Sequence, residues 1–235
     1  MKKLLLLLLT ALTLPLARAA DDAKKEPAPA AKPAEPAPPA ENSKPTPDKK
    51  METITLGAGC FWCAEVILQR VNGIQSVASG YSNGQAKNPT YKQVCTGTTG
   101  HAEVVQVVYD PAVISTEKLL HVFFELHDPT TLNRQGHDTG TQYRSGIFYH
   151  TDDQRKIAEK VKEEVNKSGK FKNPIVTEIT KVDNWSKAED LHQDYFNQNY
   201  TQGTGNWGYC NATIVPKLKK MGLLKPEEKK AAGEE

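Results

Sequence analysis

Two cysteines three residues apart form the segment of this chain best suited to chemistry. Cys60 and Cys63 enclose Phe61 and Trp62, and a glycine-containing turn at residues 57–59 precedes them. A thiol at the start of a helix is stabilised as a thiolate by the partial positive charge there, and the thiolate is the nucleophile. A structural disulfide across one helical turn, or two small buried residues, would explain the same spacing. A zinc site is less well supported, because no second pair of Cys or His residues follows at ligand spacing.

A single glutamate opens the most apolar strand pattern of the sequence. Glu103 follows His101 and precedes a valine-rich segment, residues 104–108. Burial beside such a segment can hold a carboxyl group protonated near neutral pH, and the group can then donate a proton to a departing oxygen. From these residues alone, an ordinary solvent-facing glutamate is favoured over a general acid. We expect His101 to form structural hydrogen bonds rather than to bind a ligand.

A third candidate segment ends the longest stretch without periodicity. Residues 128–144 contain Gly, Thr, Asp and Asn in no helical or strand pattern, and loops of this length in a compact domain are usually functional. Asp138, Gln142 and Tyr143 lie near its end, where their polar groups can be placed against a ligand. Turn formation with a packed tyrosine is the alternative.

The segments that would hold these residues alternate between strand and helix patterns. Strands are predicted at residues 52–56, 74–81, 102–109, 145–149 and 175–182. Helices are predicted at residues 61–70, 115–127, 151–168 and 186–197, the last two from capping-box sequences, with a helical turn at 90–94. This interleaved order predicts a single α+β domain, a sandwich of sheet and helices rather than a doubly wound sheet.

The regions outside this domain have simpler patterns. Residues 1–19 combine two lysines, an apolar run and a small-residue cleavage sequence, which predict a secretory signal peptide; an N-terminal anchor that is never cleaved is the alternative. Residues 20–50 carry eight of the fifteen prolines and predict a Pro/Ala-rich disordered linker. The domain then spans residues 51–220, and residues 221–235 are a charged tail. We therefore expect an exported protein, in the periplasm or secreted.

Charge and cysteine content narrow the expected partners. The formal net charge of +2 falls to −1 when Lys2, Lys3 and Arg18 leave with the signal peptide, so we expect neither nucleic acid binding nor membrane insertion. The domain contains four cysteines, Cys60, Cys63, Cys95 and Cys210. This number is low for a disulfide scaffold and favours a redox function.

Taken together, the candidate segments resemble one family, the peptide methionine sulfoxide reductases of the A type. The resemblance covers residues 53–219 and rests on six motifs in the same order: Gly59-Cys60-Phe61-Trp62, Asn88-Pro89-Thr90-Tyr91, Val94-Cys95-Thr96-Gly97-Thr98-Thr99-Gly100-His101-Ala102-Glu103, Gly140-Thr141-Gln142-Tyr143-Arg144-Ser145, Ala188-Glu189-Asp190-Leu191-His192-Gln193 and Gly208-Tyr209-Cys210. It implies a ferredoxin-like sandwich with a mixed sheet and flanking helices. It also implies an enzyme that uses thiols to reduce methionine-S-sulfoxide, protein-bound or free, to methionine.

The resemblance assigns a role to most of the candidate residues. Cys60 attacks the sulfoxide sulfur, Glu103 protonates the sulfoxide oxygen, and the adjoining aromatics hold the substrate methyl group. Those aromatics are Phe61 and Trp62. Hydrogen bonds to the oxygen, or to a water, come from Tyr91 and Tyr143, with Asp138 as a supporting carboxylate.

The implied reaction cycle needs a second thiol. Attack turns Cys60 into a sulfenic acid and releases methionine, and another thiol then forms a disulfide that an external dithiol reduces. The family match and the flexible run at residues 202–206 favour Cys210 as the principal resolving thiol over Cys63, whereas Cys95 is expected to be a buried, non-catalytic thiol. No metal or organic cofactor is expected, only a thioredoxin-like dithiol reductant. We expect a monomer whose substrates are oxidised proteins or peptides, acting in the repair of exported proteins.

Two positions depart from the family pattern. Cys63 stands where the family often has glycine, and Leu191 where it often has an aromatic residue. The first departure supports an alternative class, a thiol–disulfide oxidoreductase working through Cys60-x-x-Cys63. A non-catalytic peptide-binding module on a spacer is a third class. Reduction of a methionine sulfoxide ester or amide with dithiothreitol distinguishes the three.

Overall fold

The computed structural model describes residues 50–201, 207–226 and 228. The predicted signal peptide at residues 1–19 lies outside these ranges, as do residues 202–206 and all but the last residue of the predicted linker at 20–50. The described residues belong to one compact unit.

Strands and helices alternate along this unit much as the sequence predicts. The strands are β1 Glu52–Ala58, β2 Ile74–Ser82, β3 Ala102–Tyr109, β4 Arg134–Gln135, β5 Asp138–Thr139, β6 Ser145–Tyr149, β7 Glu178–Lys181 and β8 Ser186–Lys187. The helices are α1 Phe61–Leu68, α2 Tyr91–Cys95, α3 Thr116–Leu126, α4 Asp152–Lys167, α5 Trp207–Tyr209 and α6 Val215–Lys220. Short 3₁₀ turns occupy Thr141–Tyr143 and Asp190–His192, and π-helical turns occupy Asn197–Thr201 and Cys210–Ile214.

Six of the strands form one sheet in the order β7-β6-β1-β3-β2-β8. Neighbouring strands run antiparallel except β6 and β7, which run parallel, so the sheet is mixed. In the four central strands, α1 connects β1 to β2 and α3 lies between β3 and β6, which is the ferredoxin-like arrangement. The predicted α+β sandwich with flanking helices is therefore confirmed.

Strand β3 is buried on both faces of the sheet. Val105 and Val107 belong to the main core, whereas Ala102 and Val104 pack with Phe148 in a smaller cluster on the other face. A strand covered on both sides needs apolar residues at successive positions, which explains the continuous valine run in the sequence.

Polar caps fix where the longer helices begin. The hydroxyl groups of Ser115 and Thr151 accept hydrogen bonds from the third residues of α3 and α4, and Thr90 forms a capping box with Gln93 at α2. Each helix therefore starts one residue after its cap, and of the three caps only Thr151 was predicted. Of the helices in the described ranges, none is long and apolar enough to cross a membrane.

The predicted helix at residues 186–197 is wrong. Ser186 and Lys187 instead pair with β2 as the edge strand β8. The Glu189 side chain does not complete a capping box, because it accepts hydrogen bonds from the Tyr81 hydroxyl and the Tyr91 backbone N–H, both at 2.8 Å. The free edge of β2 offers backbone hydrogen bonds that a local sequence pattern does not reveal.

Three other segments differ from their predicted limits. The strand predicted at 175–182 is shortened to β7, and the loop predicted at 128–144 contains the two-stranded hairpin of β4 and β5. Beyond the predicted domain end at residue 220, Leu224 is buried in the core and Glu228 is buried in an ion pair with Arg70. Packing thus continues into the segment predicted to be a charged tail at 221–235.

Candidate active site

Cys60 lies at the junction of β1 and α1, where it is the N-cap residue of the helix. Its carbonyl oxygen accepts hydrogen bonds from the N–H of Cys63 at 3.2 Å and of Ala64 at 3.4 Å, which closes the first helical turn. The preceding Gly59 has a φ of +84°, and a Cβ there would lie 2.5 Å from the Cβ of Gln135. Glycine is therefore required at the turn that presents Cys60, whose side chain is almost fully buried.

The thiols of Cys60 and Cys63 interact at the start of α1. Burial raises the pKa of Cys60 well above its usual value, and the hydrogen bond and charge of Cys63 and the charge of Glu103 raise it further. These effects outweigh the lowering expected from the helix start. Accepting the hydrogen bond from Cys60 lowers the pKa of Cys63 to about 7, helped by the charge of Lys217 and opposed by burial. The pair thus holds one proton on Cys60 and the negative charge on Cys63.

Glu103 is buried beneath this helix start, with a side-chain exposure of 1%. One carboxyl oxygen, Oε2, accepts a hydrogen bond from the Phe61 backbone N–H at 3.2 Å, and the other has no partner among the described residues. Burial raises the pKa of Glu103 to about 8, against the Phe61 hydrogen bond and with help from the charges of Asp138 and Cys63. The solvent-facing alternative is wrong, and the carboxyl group is protonated at neutral pH.

Two half-buried tyrosines, Tyr91 and Tyr143, surround the same carboxyl group. Burial and then the charge of Glu103 raise the pKa of both hydroxyl groups, and the charge of Cys60 also raises that of Tyr143. Both are therefore neutral hydrogen-bond donors. The bond from the Tyr91 N–H to Glu189, described above, anchors α2 at this place.

A third tyrosine, Tyr209, links Asp138 to the thiols. Its hydroxyl donates a hydrogen bond to Asp138 Oδ2 at 3.3 Å and lies 3.9 Å from Cys63 Sγ. Burial raises its pKa, followed by the charges of Cys60 and Cys63. We did not assign Tyr209 a role from the sequence, although its position next to Cys210 was a usable signal.

The aromatic residues that follow Cys60 form an apolar wall. Phe61 is buried, with the His192 ring centroid 5.3 Å away, whereas the half-buried Trp62 stacks on Tyr195 at 3.8 Å. The Tyr91 ring centroid is 4.4 Å from that of His192, which closes the wall beside α2. Trp62 is thus the more accessible of the two residues predicted to hold a substrate methyl group.

The two remaining cysteines have contrasting positions. Cys210 is fully buried at the first position of a π-helical turn, and burial, followed by the charge of Cys63, raises its pKa to about 11. Cys95 was predicted to be buried, and this is wrong: it is exposed at the end of α2. Val94 takes the inward position of that short helix, so the next residue faces outward.

Two other predicted or possible ligand groups have structural explanations. The His101 ring is buried and its Nε2 lies 2.7 Å from the Ala86 carbonyl oxygen, as expected for a structural histidine. Glu117, His121 and Glu164 form a second possible ligand group, because they lie close enough together to hold a metal ion. These three residues belong to α3 and α4. There the Lys160 Nζ already lies 3.1 Å from Glu117 Oε2 and 3.7 Å from Glu164 Oε1.

The fold therefore gathers the predicted candidates into one site. Its members are Cys60, Cys63, Phe61, Trp62, Tyr91, Glu103, Asp138, Tyr143, Tyr209 and Cys210. A neutral carboxylic acid, an ionisable thiol pair and neutral hydroxyl donors lie beside an apolar wall. This arrangement can deliver a nucleophile and a proton to the two ends of one polar bond.

Comparisons with known proteins agree on one family. The sequence profile described as "Peptide methionine sulfoxide reductase" matches residues 52–230. A peptide methionine sulfoxide reductase MsrA of Saccharolobus solfataricus is 50% identical over 180 residues, covering 77% of this chain and 98% of the relative.

Solved structures give the same result. Reduced Mxr1 of Saccharomyces cerevisiae aligns with a TM-score of 0.62 and 42% identity, covering 69% of this chain and 91% of that chain. Methionine sulfoxide reductase A of Corynebacterium diphtheriae aligns with a TM-score of 0.57 and 37% identity, covering 66% and 77% of the two chains.

Proposed function

The chain belongs to the peptide methionine sulfoxide reductase family and is a peptide-methionine (S)-S-oxide reductase of the A type, and from this premise we propose how its residues divide the reaction. Cys60 is the nucleophile and Glu103 the acid. The observation that carries this proposal is the buried, protonated Glu103 carboxyl group, bonded to the N–H of the residue that follows Cys60. A neutral acid at this place can protonate an oxygen while the adjacent sulfur attacks.

Substrate binding uses the groups around the acid. The methyl group of methionine sulfoxide packs on Trp62 and Phe61, because their wall adjoins Cys60. The sulfoxide oxygen accepts hydrogen bonds from Tyr91 and Tyr143, both half-buried and both close enough to Glu103 to be affected by its charge. Asp138 acts through the Tyr209 hydroxyl group that it binds.

The chemical step needs a thiolate on Cys60 and a proton on Glu103. Transfer of the Cys60 proton to Cys63 supplies the thiolate, since the two sulfurs share a hydrogen bond. The Cys60 sulfur attacks the sulfoxide sulfur while Glu103 protonates its oxygen, and the S–O oxygen passes to Cys60 as a sulfenic acid when methionine leaves. A second thiol then converts the sulfenic acid to a disulfide, which an external thioredoxin-like dithiol reduces.

We propose the cellular location of the enzyme from the sequence of residues that lie outside the described ranges. The signal-peptide pattern at residues 1–19 and the linker composition at 20–50 support an exported enzyme, in the periplasm or secreted. Its function there is the repair of oxidised methionine in exported proteins. Cell fractionation with N-terminal sequencing of the mature protein tests this: a chain still starting at Met1 in the cytosol would contradict it.

The catalytic proposal is tested with peptides carrying one methionine sulfoxide of defined configuration at sulfur. With dithiothreitol as reductant, only the S epimer should be consumed, because separate enzyme types serve the two epimers. Chromatographic loss of both epimers at equal rates would contradict it. If reduction is absent but dithiol oxidation occurs, the alternative of a thiol–disulfide oxidoreductase through Cys60-x-x-Cys63 would replace it.

A further inference from the structure

Glu189 has no part in the proposed chemical steps, yet its carboxylate binds two segments of the active site. It is the N-cap residue of the 3₁₀ turn Asp190–His192. Its Oε1 accepts a hydrogen bond from the Tyr91 backbone N–H at 2.8 Å, and its Oε2 accepts one from the Tyr81 hydroxyl, also at 2.8 Å. The side chain therefore connects the start of α2 to the end of β2.

The Tyr81 end of this connection lies beside the acid. Tyr81 is directly opposite Glu103 in the pairing of β2 with β3, and directly opposed residues place their side chains on the same face of a sheet. Tyr81 is fully buried, and burial, followed by the bond to Glu189, raises the pKa of its hydroxyl. The hydroxyl is therefore a neutral donor held in the same part of the sheet as Glu103.

The Tyr91 end lies on a short helix that has little core packing of its own. Helix α2 has five residues, of which only Val94 is buried. A helix of this length is not stable by itself, so its position depends on the groups that bind it. Thr90 accepts a hydrogen bond from the Gln93 N–H, which leaves the Tyr91 N–H as a donor that the helix cannot satisfy. Glu189 supplies the acceptor for that donor.

The segment that contains Glu189 also packs on the Tyr91 ring. The centroid of the buried His192 ring lies 4.4 Å from that of Tyr91. Burial acts to raise the pKa of Glu189, but hydrogen bonds from the N–H groups of Tyr91 and of Glu189 itself, and from the Tyr81 hydroxyl, lower it overall. Glu189 is therefore ionised at neutral pH, and hydrogen bonds to a carboxylate are stronger than those to a neutral acceptor.

Building on the proposed function, we propose that Glu189 is a positioning residue that holds the Tyr91 hydroxyl where it donates to the sulfoxide oxygen. Glu189 does not touch the substrate and acts through the backbone of Tyr91. Because Tyr81 is paired with Glu103, the same carboxylate fixes the separation between this donor and the acid. Both groups must reach one oxygen, and a displacement of about 1 Å at such a site can cost about 100-fold in rate.

A double-mutant cycle between Glu189 and Tyr91 tests this role. The reduced full-length chain is mixed with a saturating methionine-(S)-sulfoxide peptide, and the rate of methionine release is measured in a single turnover. Glu189→Ala removes both hydrogen bonds and should slow release at least about 10-fold, as expected for hydrogen bonds to a charged group. In a Tyr91→Phe background the same substitution should cost less than about 2-fold, because the hydroxyl that Glu189 positions has gone.

Two further variants separate positioning from stability. Glu189→Gln keeps an acceptor oxygen for the Tyr91 N–H and should restore the rate to within about 3-fold of the unsubstituted chain. Glu52→Ala is the matched control, since Glu52 accepts a 2.7 Å hydrogen bond from the hydroxyl of Tyr109, at the other end of β3. This control should lower the thermal unfolding midpoint but change the rate by less than about 2-fold.

Tyr81→Phe tests the same connection from its other end and replaces Glu189→Ala if that variant does not fold. It removes only the donor to Oε2, so release should slow by about 2- to 10-fold, the usual contribution of one hydrogen bond. In the Tyr91→Phe background this substitution too should cost less than about 2-fold.

The outcomes distinguish failure of the positioning role from failure of the proposed function. An unchanged rate in Glu189→Ala, equal slowing in the two backgrounds, or a Glu189→Gln variant as slow as Glu189→Ala would overturn the positioning role and leave the proposed function intact. An unchanged rate in Tyr91→Phe would overturn the assignment of Tyr91 as a donor, and the positioning role with it. No release of methionine by the unsubstituted reduced chain would overturn the proposed function itself.

Discussion

The two halves of the active site are held by different kinds of structure. The acid half consists of Glu103, Tyr91 and Tyr143. The thiol half consists of Cys60, Cys63, Tyr209 and Cys210. Glu103 lies in β3, inside a sheet, and Tyr91 opens a capped helix, whereas the thiol half lies at the start of one helix and in a π-helical turn of another segment. π-Helical turns often mark functional sites, because they interrupt the regular ladder of a helix.

This difference matches what each half does with protons. Burial fixes one proton on Glu103, and β-sheet pairing leaves that carboxyl group little freedom to move. In the thiol half, by contrast, one proton is shared between Cys60 and Cys63, so it can pass from one sulfur to the other. Burial thus keeps a proton on Glu103 until the sulfoxide oxygen takes it, whereas the hydrogen bond between the two cysteines lets Cys60 pass its proton to Cys63.

The largest effect is expected from removing the nucleophile. Cys60→Ser keeps the helix start and the shape of the site but replaces a thiol by a hydroxyl that stays protonated near neutral pH. Reduction of methionine sulfoxide should therefore be lost, even with excess dithiothreitol. A steady-state assay that finds substantial turnover in this variant would show that Cys63 can replace Cys60, and that the thiol half has no fixed nucleophile.

A smaller but still large effect is expected in the acid half. Glu103→Gln keeps the size of the side chain and removes its proton, so the single-turnover rate of methionine release should fall by about 10²–10⁴-fold, the usual contribution of a general acid. Substrate affinity should change much less. An unchanged single-turnover rate would mean that Tyr91, Tyr143 or water supplies the proton. Gln154→Glu, which alters a buried amide on α4, controls for a general disturbance of the fold.

The acid half shows which features of the site can be predicted from the sequence alone. The valine pattern predicts β3 with its observed limits, and Glu103 is correctly placed at its start. Neither pattern nor composition predicts that Glu103 is covered, because its cover comes from the start of α1, where the Phe61 N–H binds the carboxyl group from 42 residues away in sequence. From the residues alone a solvent-facing Glu103 is therefore the favoured interpretation, and only the family resemblance favours an acid.

The thiol half shows where local patterns fail. The glycine turn and the helix start around Cys60 are predicted correctly. The pKa of Cys60 is nevertheless not lowered as the helix start predicts, because burial, Cys63 and Glu103 raise it more than the helix end lowers it. Only its position next to Cys210 sets Tyr209 apart from a core aromatic in the sequence. The prediction of a helix at 186–197 is wrong because Ser186 and Lys187 pair with β2. A local sequence pattern does not show that β2 has a free edge, since that edge exists only once the sheet has formed.

Because the thiol half and the acid half lose their protons at different pH values, they predict the shape of the pH profile. The rate should rise through about pH 7, where the thiol pair loses a proton at Cys63, and fall above about pH 8, where Glu103 loses the proton it must donate. The sign of the second limb follows from the raised pKa of Glu103, because the acid form is present below that pKa and absent above it. The measurement is kcat/KM against pH, which reports groups of the free enzyme. In Glu103→Gln the residual activity should keep the rising limb and lose the falling one; a falling limb that persists would assign it to another group.

The smallest expected effect concerns the hydroxyl that joins the halves. The Tyr209 hydroxyl lies within hydrogen-bonding distance of both Asp138 and the Cys63 sulfur, and its hydrogen bonding lowers the pKa of Cys60 and Cys63. Tyr209→Phe removes only the oxygen, and one hydrogen bond contributes about 0.5–1.5 kcal/mol, so kcat/KM near pH 7 should fall by about 2- to 10-fold. Because the lost bond stabilises the thiolate, the rising limb of the profile should move to higher pH while the falling limb, set by Glu103, stays in place. Tyr149→Phe, at the end of β6, is the matched control and should change neither limb. A uniform loss of rate with no movement of the rising limb would show that Tyr209 only packs against the site, and that the two halves act without this connection.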